Sequence, residues 1–288
     1  MGVKAKVSII SPCYNGEQYI ARMLESIMNQ TYEEVELICV DDGSEDRTAD
    51  IIFDYVPRFK LSGKQLIYIR QENQGQAAAV NNGLKHIKGE YLSWIDCDDF
   101  LTLDSVEKKV KALQANPQCK IVTSNLYVVK ENDIDNIIEV KGTSYGALNY
   151  QPKQFFLTLT GMSLMECHCH LLLVDAFRAI NPTLEISRCR AGQNYQILLP
   201  MYYYYNRCYV DEPLAFYVIR EDSHYHSKRT LPEELERLEE LLRMLEETFQ
   251  SMNMPDILKQ EYKKQSAFMI MKRRALERYG RSETLVRE

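Results

Sequence analysis

The alternation of short apolar runs with amphipathic helical stretches over residues 6–100 constrains this chain more than any other feature. Val7-Ser8-Ile9-Ile10 reads as a short strand, and the polar turn Ser11 to Gly16 breaks it. Ile20, Met23, Leu24, Ile27 and Met28 then recur at helical spacing, so one face of that helix should pack on a sheet. Val35 to Val40 is a second strand, and Asp41-Asp42-Gly43-Ser44 ends it before a helix bearing Ala49, Ile52, Phe53 and Val56. Gln65 to Arg70 is a third strand, Gly75 to Ile87 a third helix, and Tyr91 to Ile95 a fourth strand.

Strands joined through helices need crossover connections, which predicts an α/β fold with a mostly parallel central sheet flanked by helices on both faces. Ligands gather beyond the carboxyl ends of such strands. The polar segments there are 12–16, 41–44 and 96–99, so three loops should share one crevice. Two of them carry Asp41, Asp42, Asp96, Asp98 and Asp99. Like charges ~4 Å apart repel by about 4 kcal/mol at an effective dielectric of about 20, so something positive should sit among them. A divalent cation with oxygen ligands would meet that need and would also let the loops accept an anionic diphosphate. The alternative role for these aspartates is helix N-capping. Neither G-x-G-x-x-G after the first strand nor a P-loop is present, which removes the main support for classical dinucleotide and P-loop binding.

Composition narrows the partners. A net charge of −6 provides no global field for nucleic acid. There is no run of about 18 apolar residues and no signal-peptide pattern at the amino terminus, so a cytoplasmic protein is expected. Eight cysteines without a C-x-x-C pair read as reduced thiols. Cys167-His168-Cys169-His170 has zinc-ligating residue types, but on a strand the cysteines and histidines would face opposite ways, which favours a structural role.

Beyond residue 100, Asp104 and Glu107 carry a capping pattern ahead of a fourth helix, and Lys120 to Lys130 is a further strand. Residues 131–228 are less periodic. Tyr202-Tyr203-Tyr204-Tyr205 reads as core rather than as a carbohydrate-stacking surface. From Thr230, Pro232 and Glu233 a helical tail begins, with Leu235, Leu238, Leu242, Leu245 and Phe249 on one stripe. Its Lys272-Arg273-Arg274 next to Met269-Ile270-Met271 is a solvated helix face or, alternatively, a contact with an anionic bilayer.

Taken together, Val7 to Gly16, Asn29-Gln30-Thr31-Tyr32, Glu36 to Ser44, Asn73-Gln74-Gly75 with Asn81-Asn82-Gly83, and Glu90 to Asp99 resemble the blocks of the family 2 inverting glycosyltransferases. The resemblance covers residues 5–110, with weaker pieces to 226, and its Asp96-Cys97-Asp98 is similar to that family's D-x-D metal motif. It implies a GT-A fold and transfer of a sugar from a nucleotide-diphosphate sugar, UDP-linked first of all, to an acceptor hydroxyl in polysaccharide or glycoconjugate assembly. It implies a donor pocket of Pro12, Tyr14, Asn15, Asp42, Asn73, Asp96, Asp98 and Arg220, with Asp42 reading the base and Asp98, assisted by Asp96, holding Mn²⁺ or Mg²⁺. The implied layout is a GT-A domain over 1–228, with a nucleotide-binding half to 100 and an acceptor half from 101, and a C-terminal helical extension over 229–288. The implied partners are the donor and a carbohydrate or lipid-linked sugar acceptor, with peripheral membrane contact and homodimerisation left open.

Two departures stand out. The basic residue usual before Asn81 is Val80 here, and the acceptor-side Glu-Asp pair is replaced by Gln193-Asn194, neither of which can take a proton. A general base contributes about 10²- to 10⁴-fold, so another group would have to act: Glu185, Asp211, Glu212, Glu221, Asp222 and His224 are nearby in sequence. The alternative is a nucleotide-sugar-binding protein that has lost catalysis.

Overall fold

A computed structural model describes residues 5–189, 192–220 and 231–266. The chain divides into two compact units, Met1–Lys228 and Arg229–Glu288.

The first unit begins with the alternation the sequence predicts: β1 (Val7–Cys13), α1 (Ile20–Met28), β2 (Val35–Asp41), α2 (Thr48–Leu61), β3 (Gln65–Arg70), α3 (Gln76–Leu84) and β4 (Tyr91–Trp94). β1 and β2 are buried at every position, which is why their sequences run apolar without alternating. β3 is the edge strand and is polar at both ends. Helix α1 buries the predicted Ile20, Met23, Leu24 and Ile27. Helix α2 differs: it buries Thr48, Ile52, Tyr55 and Phe59, whereas Phe53 is 55% and Val56 38% exposed. Phe53 instead lays its ring on Tyr68 of β3 at 4.7 Å, covering the sheet's edge. Gly83 lets α3 lie directly on β1, since a Cβ there would stand 2.6 Å from Ile10 Cγ2.

The unit continues through β5 (Phe100–Leu101), α4 (Ser105–Ala115), β6 (Cys119–Lys130), β7 (Glu139–Lys141), α5 (Phe155–Leu159), β8 (His170–Leu173), α6 (Val174–Ile180), α7 (Gln193–Tyr204) and β9 (Asn206–Ile219). Among the described residues all nine strands form one sheet, ordered β3-β2-β1-β4-β8-β6-β9-β5 with β7 on β6. Strands β1 to β4 pair in parallel. β8 then runs antiparallel to both β4 and β6, while β6 and β9 are parallel to each other. The sheet is therefore parallel from β1 to β4 and mixed beyond.

The capping pattern at α4 is not realised, because the Asp104 carboxylate is held by Lys108 at 2.7 Å and makes no cap bond to the helix. Tyr202 is fully buried and its hydroxyl meets Thr123 at 3.0 Å, so the core reading of the tyrosine run holds for Tyr202, while Tyr203, Tyr204 and Tyr205 are half-buried.

In the second unit, α8 (Leu231–Ser251) buries Leu238, Met244, Leu245 and Phe249, and a further helix spans 256–266. Thr230 and Met269 to Arg274 lie outside the described residues. No described helix is long and apolar enough to cross a membrane.

Candidate active site at the carboxyl ends of the parallel strands

The turn after β1 and the loop after β2 are latched together. Asn15 takes φ 49°, a left-handed conformation that Asn tolerates, and its amide N–H donates to Ser44 Oγ at 3.0 Å. Glu45 N–H donates back to Asn15 Oδ1 at 2.9 Å, and Gly16 N–H to Thr48 Oγ1 at 2.7 Å. Pro12 is buried in β1, and Tyr14 next to it is 48% exposed, leaving its ring free to face a ligand.

Asp41 and Asp42 divide their work. Asp41 is fully buried and structural, accepting from the Tyr68 hydroxyl and the Ser44 N–H, each at 2.7 Å. Asp42 points to the segment after β3: its carboxylate accepts from Gln71 Nε2 at 2.8 Å, Gln74 N–H at 3.0 Å and Gly75 N–H at 2.8 Å. Gly43, at φ +83°, has no room for a side chain, since a Cβ would reach 3.0 Å from Asn73 N. Asn73 itself is exposed at the tip of that segment.

The same segment reaches the acidic loop. Gln76 Nε2 donates to Asp96 Oδ1, and Gln76 Oε1 accepts from Gln193 Nε2 at 2.6 Å. Residues 71–76 therefore link Asp42, Asp96 and the start of α7. Asp98 is paired with Arg220 Nε at 2.9 Å, and the Arg220 guanidinium lies 4.3 Å over the ring of Tyr19. Arg22 donates to the Asp98 backbone carbonyl at 2.9 Å. Two arginines thus supply positive charge near the loop, while Val80, at the position where a basic residue was missed, is buried in α3.

Burial raises the pKa of both Asp96 and Asp98 above the usual carboxylate range, and the charge of Asp99 adds to the rise. Arg220 opposes it at Asp98 and His168 opposes it at Asp96, without overcoming it. Among the described residues no group of three or more His, Cys, Asp or Glu side chains is arranged to hold a metal ion, so the aspartates would have to share a cation with ligand phosphates. The hard oxygen donors of Asp96 and Asp98 suit Mn²⁺ or Mg²⁺ used that way. Asp98, whose side chain is 20% exposed, is the more accessible.

Asn194 is locked: its Oδ1 accepts from Trp94 Nε1 at 2.8 Å and its Nδ2 donates to the Met165 carbonyl at 3.0 Å. A carboxylate there would face that carbonyl oxygen. Of the alternative bases, Asp211 is held by Tyr150, Tyr209 and Asn125, and Glu212 by Lys108. Glu185 is exposed. Glu221, Asp222 and His224 lie outside the described residues.

Cys167 to His170 is not a strand along its length. Cys167–Cys169 is a short 3-10 turn, and only His170 enters β8. His168 Nδ1 meets Asp99 at 3.1 Å, while His170 Nδ1 meets the Glu166 carbonyl at 2.9 Å. Gln76 and Arg22 carry no signal in the sequence, because each matters only through a partner 20 to 76 residues away, and the Cys-His cluster that marks His168 does not reveal Asp99 as its partner.

The model of Glycosyl transferase family 2 matches residues 8–180, more than half of the chain, and the protein belongs to that family. Glycosyltransferase GlyA of Streptococcus pneumoniae is 34% identical over 159 residues, which are 55% of this chain and 22% of GlyA. An uncharacterised glycosyltransferase of Haemophilus influenzae is 38% identical over 38% of this chain and 43% of its own length. The chain thus spans less than half the length of these relatives. S. aureus TarS 1-349 in complex with UDP-GlcNAc superposes with a TM-score of 0.68 at 15% identity, covering 97% of this chain and 76% of that one. Mannosyltransferase PcManGT from Pyrobaculum calidifontis, in complex with GDP-Man and Mn²⁺, gives a TM-score of 0.61 at 16% identity over 98% and 77% of the two chains. At that identity the likeness shows the GT-A fold.

Proposed function

We propose that this protein transfers a sugar, with inversion, from a nucleotide-diphosphate sugar to an acceptor hydroxyl of a carbohydrate or lipid-linked sugar in polysaccharide or glycoconjugate assembly. UDP-sugars are the first candidates for the donor. The observation that supports this reading is the 71–76 segment, whose hydrogen bonds tie Asp42 to Asp96 and through Gln76 to Gln193, the residues to which the reading gives base, phosphate-side and acceptor-side roles.

In this reading Tyr14 and Pro12 flank the base, and Asp42 accepts its imide hydrogen once the segment carrying Asn73 yields to the ligand. Asp98, with Asp96, holds Mn²⁺ or Mg²⁺. Bound there, the cation supplies charge stabilisation to the departing diphosphate. Arg220 leaves or shares Asp98 to meet the phosphates, which adds a charge-assisted contact where negative charge develops. Gln193 and Asn194 orient the acceptor side without taking a proton. The proton goes to one of the groups near in sequence, Glu185, Asp211, Glu212, Glu221, Asp222 or His224.

A second reading rests on the saturated bonds of Asn194: a protein that binds a nucleotide-sugar and does not transfer it. A panel of UDP- and GDP-sugars, screened for thermal stabilisation with and without Mn²⁺ and then for hydrolysis and transfer, separates the two. Metal-dependent stabilisation with turnover is the expected result. Stabilisation without turnover on any acceptor supports the silent protein, and no stabilisation at all removes both.

A further inference from the structure

The acidic loop is held at Asp99 by one buried turn, Cys167–Cys169. His168 Nδ1 meets Asp99 Oδ2 at 3.1 Å. The turn is itself braced from α4, where Lys109, only 2% exposed, donates its ammonium to the His168 carbonyl at 2.6 Å. The other oxygen of Asp99 accepts the Val218 N–H at 2.8 Å, two residues before Arg220. A buried chain of polar contacts therefore runs from Lys109 through His168 and Asp99 to the end of β9.

We infer that His168, braced by Lys109, is a positioning residue that sets the acidic loop and the Arg220 end of β9 in register, so that Asp98 and Arg220 meet the donor phosphates together. Burying an ammonium, an imidazole and a carboxylate is costly unless each is paired. Asp99 cannot hold both His168 and the Val218 amide unless loop and strand keep one spacing. Removal of His168 leaves Asp99 with the strand alone and frees the loop to shift against it. The role in donor binding rests on the function proposed above; the coupling of the two segments does not.

The test measures amide hydrogen exchange and UDP binding in the presence of Mn²⁺ for wild type, His168→Phe, His168→Asn and Lys109→Met. Asn keeps a donor near the place of Nδ1, whereas Phe keeps volume without one. In His168→Phe, exchange over 95–101 and 216–220 should accelerate about tenfold while β1 to β3 stay at the wild-type rate, and UDP affinity should fall about tenfold, as for other supporting contacts of a metal site. His168→Asn should restore both to near wild type, and Lys109→Met should accelerate exchange in the same two segments by less. If His168→Phe does not fold, Lys109→Met decides: unchanged exchange in those segments overturns the inference. Acceleration confined to 166–171, acceleration spread evenly over the unit, or failure of Asn to restore also overturns it. Wild type that binds neither UDP nor GDP with Mn²⁺ counts against the donor reading, while the exchange arm still decides the coupling.

Discussion

The parallel half of the sheet and its mixed half solve different problems. In β1 to β4 the register runs without interruption, from Val7 opposite Val35 to Cys13 opposite Asp41, and every crossing is made by a helix. In the mixed half, β6 and β9 pair over their length with shifts in register at Cys119/Ile121, Ser124/Asn125 and Asn125/Tyr127. Regular strands deliver their loops to one edge, where residues 74–76 bond to both Asp42 and Asp96. Irregular ones re-aim side chains, and the end of β9 brings Arg220 onto a loop that belongs to the other half. The crevice is assembled by regularity on one side and by its interruption on the other.

Substitution at the seam should have the largest effect. Asp98→Asn is expected to lower transfer about 10²- to 10³-fold, the several kcal/mol a bridging cation supplies, and to remove Mn²⁺-dependent UDP binding in calorimetry. Unchanged metal-dependent binding would take Asp98 out of the site.

Next comes acid stability, to which buried His170 of the mixed half contributes. Burial lowers the pKa of His170 to about 3, far below its ordinary 6.5. The unfolded chain therefore takes up this proton first, and this one group costs the folded state about 1.4 kcal/mol per pH unit as pH falls from about 6.5 towards 3, while the raised pKa values of buried Asp96 and Asp98 act in the opposite sense. Urea titrations across that range should show a shallower acid decline for His170→Asn. A decline as steep as that of wild type would rule out His170 as its source.

In the parallel half, Gly83→Ala should cost about 1–3 kcal/mol, because the new Cβ collides with Ile10 at 2.6 Å. Thermal unfolding reads it. Smallest of all, Phe53→Ala at the β3 edge should cost about 0.5–1.5 kcal/mol through its lost contact with Tyr68. If Phe53→Ala cost more than Gly83→Ala, the edge rather than the α3–β1 contact would limit the parallel half.

Much of the parallel half was legible in advance because its signals are local. Strand β3 falls where its apolar run does, the α1 stripe follows from the spacing of Ile20, Met23, Leu24 and Ile27, and the acidic loops follow from strands that must end on one side. The α2 face was misread, because Phe53 and Val56 have helical spacing but the edge of the sheet claims Phe53. At α4 the capping pattern gave way to Lys108, one turn along the same helix. The segment 167–169 is a turn rather than a strand, and alternation of residue type cannot reveal a partner such as Asp99.

By itself the amino-acid order determined the alternating α/β start, the family blocks and the polar strand ends, since hydrophobic period and turn chemistry act over a few residues. Only the tertiary structure decided that Asp41 is structural while Asp42 faces the 71–76 segment, that Arg220 rather than a residue of α3 neutralises Asp98, and that Asn194 is held on both sides. These outcomes depend on contacts between residues far apart in the chain, whose energies exist only once the sheet has brought them within hydrogen-bond reach.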